Sequence, residues 1–147
     1  MSTENANQSE SPKKLSLVVF SGSFEKVHYA LVMASAALAS GREATLFFTM
    51  EASRAVLAPS GWRHLRTEAE GATATSIDLS YSTRGIGTFE ELLSACVALD
   101  GKFMVCDMGL RALGLENEAK REELKIETGG VVTFLNDARQ QGEMLFI

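Results

Sequence analysis

Two rhythms of apolar residues alternate along this chain. "LSLVVF" (15–20), "ATLFFTM" (44–50) and "KFMVC" (102–106) are short, nearly continuous apolar runs rich in β-branched and aromatic side chains. That is the pattern of strands buried on both faces. Between the first two, "SGS" breaks the run, and Val27, Leu31, Ala34 and Leu38 then repeat at helical spacing from about Phe24 to Ala39, with Gly41 closing the helix. Strand, helix and strand within about 35 residues call for a parallel crossover.

The helical rhythm returns in "TFEELLSACVALDG" (88–101), where Phe89, Leu92, Leu93, Cys96 and Leu99 share a face. Thr88 and Glu91 make a capping box, each side chain satisfying a free N–H of the first turn. "DMGLRALG" (107–114) reads as a short helix closed by Gly114. "NEAKREELKIETG" (117–129) reads as charged surface, and "GVVTFLNDARQQG" (130–142) as a last helix with Val131, Leu135 and Ala138 on one side. "EMLFI" (143–147) reads as a terminal strand buried to its last residue. The alternation predicts an α/β fold with a mainly parallel sheet of four or five strands.

Two stretches fall outside both rhythms. Residues 1–13 are rich in Ser, Asn and Glu and read as a disordered tail, leaving 14–147 as a single domain. In 51–87, "ASRAVLA" suggests a short helix stopped by Pro59 and Gly61, while "EGATATSIDLSYSTRGIG" is small, polar and glycine-punctuated. The expectation is a long excursion with little regular structure, a candidate lid.

Composition narrows the function. With 147 residues and 46% hydrophobic content the chain has ample material for one core. A net charge of −5 with no basic block excludes a nucleic-acid binder; Arg63 and Arg66 are the closest approach to a patch. No apolar run is long enough to span a membrane, and "MSTENANQSESPKK" lacks a secretory core, so a cytoplasmic protein is expected. Two cysteines without CxxC, and two lone histidines, His28 and His64, predict free thiols and neither a metal nor a cofactor.

The cysteines differ in placement. Cys96 lies on the apolar stripe of its helix and reads as core. Cys106 ends a strand, at the edge where open α/β sheets bind ligands, and precedes a helix whose free N–H groups favour a thiolate. A buried strand-end cysteine is the plain alternative. In the first strand-to-helix turn, Ser21, Gly22 and Ser23 form a tight turn with Ser23 as cap, suited to an anion, and Lys26 adds positive charge in the first helical turn. The turn is not GxGxxG, which argues against a dinucleotide.

Three segments carry a resemblance. "FSGSFEKVHYALVMASAALASGREATLFFT" is similar to the opening of the DsrE/DsrF-like sulfur-relay proteins, in particular the subgroup labelled DsrE-like or "peroxiredoxin family". "VCDMGLRALGL" resembles that family's cysteine segment: Cys106, Met108 and Gly114 fit, Gly109 replaces a usual serine, and Leu110 and Leu113 replace methionines. "GGVVTFLNDARQQGEMLFI" is similar to its closing helix and strand.

The resemblance implies a DsrEFH-like three-layer α/β sandwich, assembled as a homo-oligomer. It also implies that Cys106 carries sulfur as a persulfide between donor and acceptor proteins or small thiols. Ser21, Gly22, Ser23, Lys26, Met108 and Gly109 would surround the anionic sulfur. The alternatives are a non-catalytic module that binds a small anionic or acyl ligand, and a peroxide-sensing thiol protein.

Overall fold

The structure is a computed structural model, and it describes residues 13–139 and 142–147. The tail expected over 1–13 lies, apart from Lys13, outside the described residues, as do positions 140 and 141 of the last expected helix.

Five parallel strands form one sheet: β1 (Lys14–Val19), β2 (Ala44–Phe48), β3 (Lys102–Cys106), β4 (Glu127–Gly129) and β5 (Gly142–Phe146), in the order β4-β3-β2-β1-β5. Helices α1 (Phe24–Ala39), α2 (Ala74–Thr83), α3 (Phe89–Ala98), α4 (Asp107–Ala112) and α5 (Val131–Ala138) join them. Side chains alternate across the sheet as pleating requires. Leu15, Leu17, Val19, Leu46, Phe48, Phe103 and Val105 belong to the main core with α1 and α3. Val18, Phe47, Met104 and Cys106 face the other way, against Phe134 and Ala138 of α5. The sandwich therefore has three layers, and only the eight residues of α5 furnish the second helical one.

Four expectations are corrected. Residues 51–87 are not irregular. They form 3₁₀ turns over Met50–Val56 and Gly61–His64, and then α2. Thr73 and Ser76 start α2 with a capping box in which each hydroxyl accepts the other residue's N–H, at 3.1 and 3.0 Å. Buried Asp78 then ties α2 to α3 by accepting the Phe89 N–H at 2.8 Å. The segment is polar because its buried contacts are partly hydrogen bonds, which hydropathy does not register.

The charged stretch 117–129 is largely exposed but not throughout: Leu124 is buried, and Glu127–Gly129 pairs with β3 as the exposed strand β4. β5 is paired only on its β1 side, so its side chains are exposed: Met144 by 49% and Phe146 by 70%. The apolar face expected on the last helix is likewise open. Val131, Val132 and Leu135 are exposed, while Phe134 and, from the expected face, Ala138 pack inward.

α5 is pinned by chemistry as well as by Phe134. Asp137 accepts hydrogen bonds from Lys14 Nζ at 2.6 Å, Lys102 Nζ at 2.7 Å and Thr45 Oγ1 at 3.0 Å, so three strands converge on one carboxylate. Burial works to raise this carboxyl, but the bonds from Lys102, Lys14 and Thr45 outweigh it and hold it down at about 2. A depressed carboxyl contributes stability that is complete above its unfolded value of 3.8 and is lost as pH falls toward 2. Asp137→Asn should therefore cost about 1–3 kcal/mol at pH 7. In thermal melts the gap between wild type and variant should narrow between pH 4 and pH 2; a constant gap would count against the pin.

Candidate functional site

The strand order reverses at β1. The chain moves outward through β2, β3 and β4, then crosses the sheet and returns to the opposite flank of β1 as β5. In an open parallel sheet the crevice beyond the carboxyl ends at such a switch point is the natural binding place, because the departing loops diverge there.

A cleft of about 1030 Å³ occupies that position. Its floor is Phe20, Ser21 and Gly22 after β1, with Phe146 and Ile147 at the end of β5. Glu25, Lys26 and Tyr29 of α1 form one wall, and Met50, Glu51, Arg66 and Tyr81 close it. The Ile147 carbonyl accepts the Phe20 and Ser21 N–H groups at 2.7 and 3.1 Å, and the Phe20 and Phe146 rings lie 5.4 Å apart.

Two glycines allow the surrounding turns to close. A Cβ on Gly22 would stand 2.5 Å from the Glu51 Cβ, and one on Gly109 would stand 2.5 Å from the Met50 amide nitrogen. Between them Met50 takes a left-handed backbone with φ of 50°, a conformation uncommon for a side chain of this size. Met50 thus contacts both the cleft and the turn that begins α4.

The first turn of α1 spends its N–H groups within the chain. Ser23 N–H goes to Ser21 Oγ, Phe24 N–H to the Arg66 carbonyl and Lys26 N–H to Ser23 Oγ. Ser23 itself is fully buried and bridges to Arg66 as a short parallel pair. The cleft's charges are then largely committed. Glu25 accepts the N–H groups of Glu68 and Ala69 at 3.0 and 3.3 Å. Burial pushes its carboxyl up, but the Glu68, Glu25 and Ala69 N–H groups and the Ser23 hydroxyl hold it below its ordinary value. Lys26 faces Glu68 at 3.5 Å, and Glu51 faces Arg54 at 3.1 Å. Arg66 pairs with no carboxylate among the described residues.

Cys106 is placed differently. It ends β3 and is the N-cap of α4, on the same carboxyl edge but separated from β1 by β2, roughly 10 Å in sheet spacing. Its side chain turns toward α5, is only 1% exposed, and packs with Phe47, Met104 and Phe134. Phe134 stacks on Phe47 with centroids 4.7 Å apart, closing that face. Asp107 pairs with Arg111 at 3.4 Å, and Met108 is 55% exposed on the outer side. Cys96 lies in the main core on the other face of the sheet, where burial pushes its thiol up to about 11. Both thiols are free.

Of the residues singled out in the sequence, Ser21, Gly22 and Lys26 line the cleft, and Ser23 builds the turn beneath it. Gly109 braces Met50 from behind, while Cys106 and Met108 lie outside the cleft lining. His28 is buried, with Nε2 2.8 Å from the Gly87 carbonyl and its ring 4.7 Å from that of Tyr81. Arg63 lies over Trp62 and donates to Thr75, and His64 is exposed. Phe20, Tyr29, Tyr81 and Phe146 were not picked out by sequence reasoning. An aromatic on the polar side of α1, three residues after Lys26, is the signal in the sequence by which Tyr29 could have been found.

No protein-family model and no curated protein matches this chain. Among solved structures, the ychN protein from E. coli is similar over 92% of this chain and 99% of its own, with a TM-score of 0.58 and 15% identity. It is a protein of the DsrE/DsrF-like fold. This chain has that fold. The likeness extends to architecture alone. Among the described residues no helix is long and apolar enough to cross a membrane, and no group of three His, Cys, Asp or Glu could hold a metal ion.

The packing predicts the behaviour of the two thiols. In native protein, peptide mapping after alkylation should show Cys106 labelled slowly and Cys96 hardly at all. Phe134→Ala, or Phe134→Leu if the larger truncation unfolds the protein, should speed Cys106 labelling roughly tenfold, the effect of an opening easier by about 1.4 kcal/mol. Rapid labelling of Cys106 in wild type would contradict the closed packing.

Proposed function

We propose that this protein is a small-molecule-binding module of DsrE-like fold, with its ligand in the cleft between the ends of β1 and β5. The observation that carries this reading is the coincidence of a cavity of about 1030 Å³ with the switch point of the sheet. The cleft combines aromatic walls with a few polar groups, the composition of sites that bury a small organic molecule. In this reading Ser21 and Gly22 shape the floor, Ser23 fixes the turn, and Lys26 holds the rim through Glu68.

A neutral fluorescent dye, Nile red, tests this directly. It should bind saturably at one site per chain. Phe20→Ser and Phe146→Ser, which alter exposed side chains and spare the core, should each weaken binding by about tenfold. Val132→Ser, an equally exposed apolar position on α5, should leave it unchanged. Binding indifferent to both cleft variants, or lost equally in Val132→Ser, would refute the proposal.

A second reading is supported by the position of Cys106 on the same carboxyl edge of a DsrE-like sheet. Here the protein is a sulfur carrier. The Cys106 thiolate attacks the outer sulfur of a donor persulfide and releases the donor thiolate. An acceptor thiolate then takes that sulfur and regenerates Cys106. Met108 and Gly109 would border the sulfur, and Phe134 would have to move for each transfer. Incubation with an organic persulfide should add one sulfur by intact mass, faster in Phe134→Ala and not in Cys106→Ser. No adduct even in Phe134→Ala would exclude this reading. In either case a homo-oligomer is proposed, because the exposed Val131, Val132 and Leu135 of α5 and Met144 of β5, all outside the cleft, are apolar surface that a neighbour would cover.

A further inference from the structure

The charge balance inside the cleft narrows its ligand, and the inference rests on the binding-module reading above. Four side chains that are charged at neutral pH border the space: Glu25, Lys26, Glu51 and Arg66. Three have partners inside the chain. Glu25 is held by the amides of Glu68 and Ala69, Lys26 by Glu68 and Glu51 by Arg54. Arg66 is the exception among the described residues. Its backbone is fixed by the Phe24 N–H donated to its carbonyl at 2.8 Å, and its Nε lies 3.6 Å from where a Cβ on Gly22 would stand. The Arg66 side chain thus lies within van der Waals range of Gly22 at the cleft floor, beside Glu51.

The uncharged part of the cleft lining is largely apolar and aromatic: Phe20 and Phe146 with adjacent rings, Tyr29, Tyr81 and Met50. Burial, with the charges of Glu25 and Asp78, pushes the Tyr81 phenol above its ordinary value, so its hydroxyl stays protonated and can donate. A planar guanidinium recognises a carboxylate through two parallel N–H bonds, and flat rings recognise a flat or extended apolar body.

The geometry points to an amphipathic monocarboxylate as the ligand, its carboxylate on Arg66 and its aryl or acyl body between Phe20, Tyr29 and Phe146. A phosphate-rich ligand is disfavoured, because Glu25 and Glu51 border the same space and, among the described residues, Arg66 is the one lining cation without a carboxylate or backbone partner for its charge.

The test displaces Nile red from the full chain with two compounds of the same body, 2-naphthoate and 2-naphthalenemethanol, at pH 7. Naphthoate should compete at least about tenfold better than the alcohol, the scale of one charge-assisted contact. Arg66→Gln should erase that preference, Arg66→Lys should restore part of it, and Arg63→Gln should leave it intact. Added salt should weaken naphthoate and spare the alcohol. Equal competition by the two compounds, or a preference that survives Arg66→Gln, overturns the inference while the module reading stands. Nile red binding that ignores the cleft variants overturns both. Failure of both compounds to displace a dye that does obey those variants overturns the carboxylate assignment alone.

Discussion

The return of β5 to the free flank of β1 is the constraint on which the rest of this molecule depends. Without it the sheet would run in one direction from β1 to β4 and no crevice would open beyond its carboxyl ends. With it, Ile147 closes against the β1–α1 turn through two backbone hydrogen bonds, and Phe146 meets Phe20. The return needs α5 to cross the sheet, and α5 is short. Its hold comes from Phe134 on Phe47 and from Asp137, which gathers Lys14, Lys102 and Thr45. One carboxylate at the amino edge of the sheet therefore helps define a cleft at the opposite edge.

The carboxyl edge carries two chemistries kept apart by β2. On the β1 side, aromatic walls and the exposed Arg66, unpaired among the described residues, border the cleft. On the β3 side, a thiol is enclosed by Phe47, Met104 and Phe134. Position alone makes Cys106 attractive, since it ends a strand and precedes a helix. Packing reverses the emphasis, because a nucleophile needs access and the cleft already has it. Met50, in a left-handed turn, lines the cleft and also lies against Gly109 of α4.

The strands buried on both faces were legible in the sequence because their periodicity is unambiguous, and α1 and α3 because their apolar stripes and caps agree. The misses have physical causes. β4 is three residues long and charged, so it reads as loop, and it forms because β3 offers a free edge. α2 is held by a Thr–Ser capping box and by Asp78, which leave little apolar signal. "EMLFI" looks like a core strand because hydropathy cannot distinguish a central strand from an exposed edge strand. The cleft was half legible. Ser21, Gly22 and Lys26 stand out beside a strand end, whereas Arg66 and Tyr81 arrive from a segment that looked unstructured.

The most direct measurement is a map of where a ligand sits. Backbone amide shifts of the labelled protein, followed during titration with 2-naphthoate, should move in a saturable set confined to Phe20–Gly22, Arg66 and Phe146–Ile147, with the amides around Cys106 and Phe134 still. Shifts centred on Cys106 and α5, or none that saturate, would contradict the account.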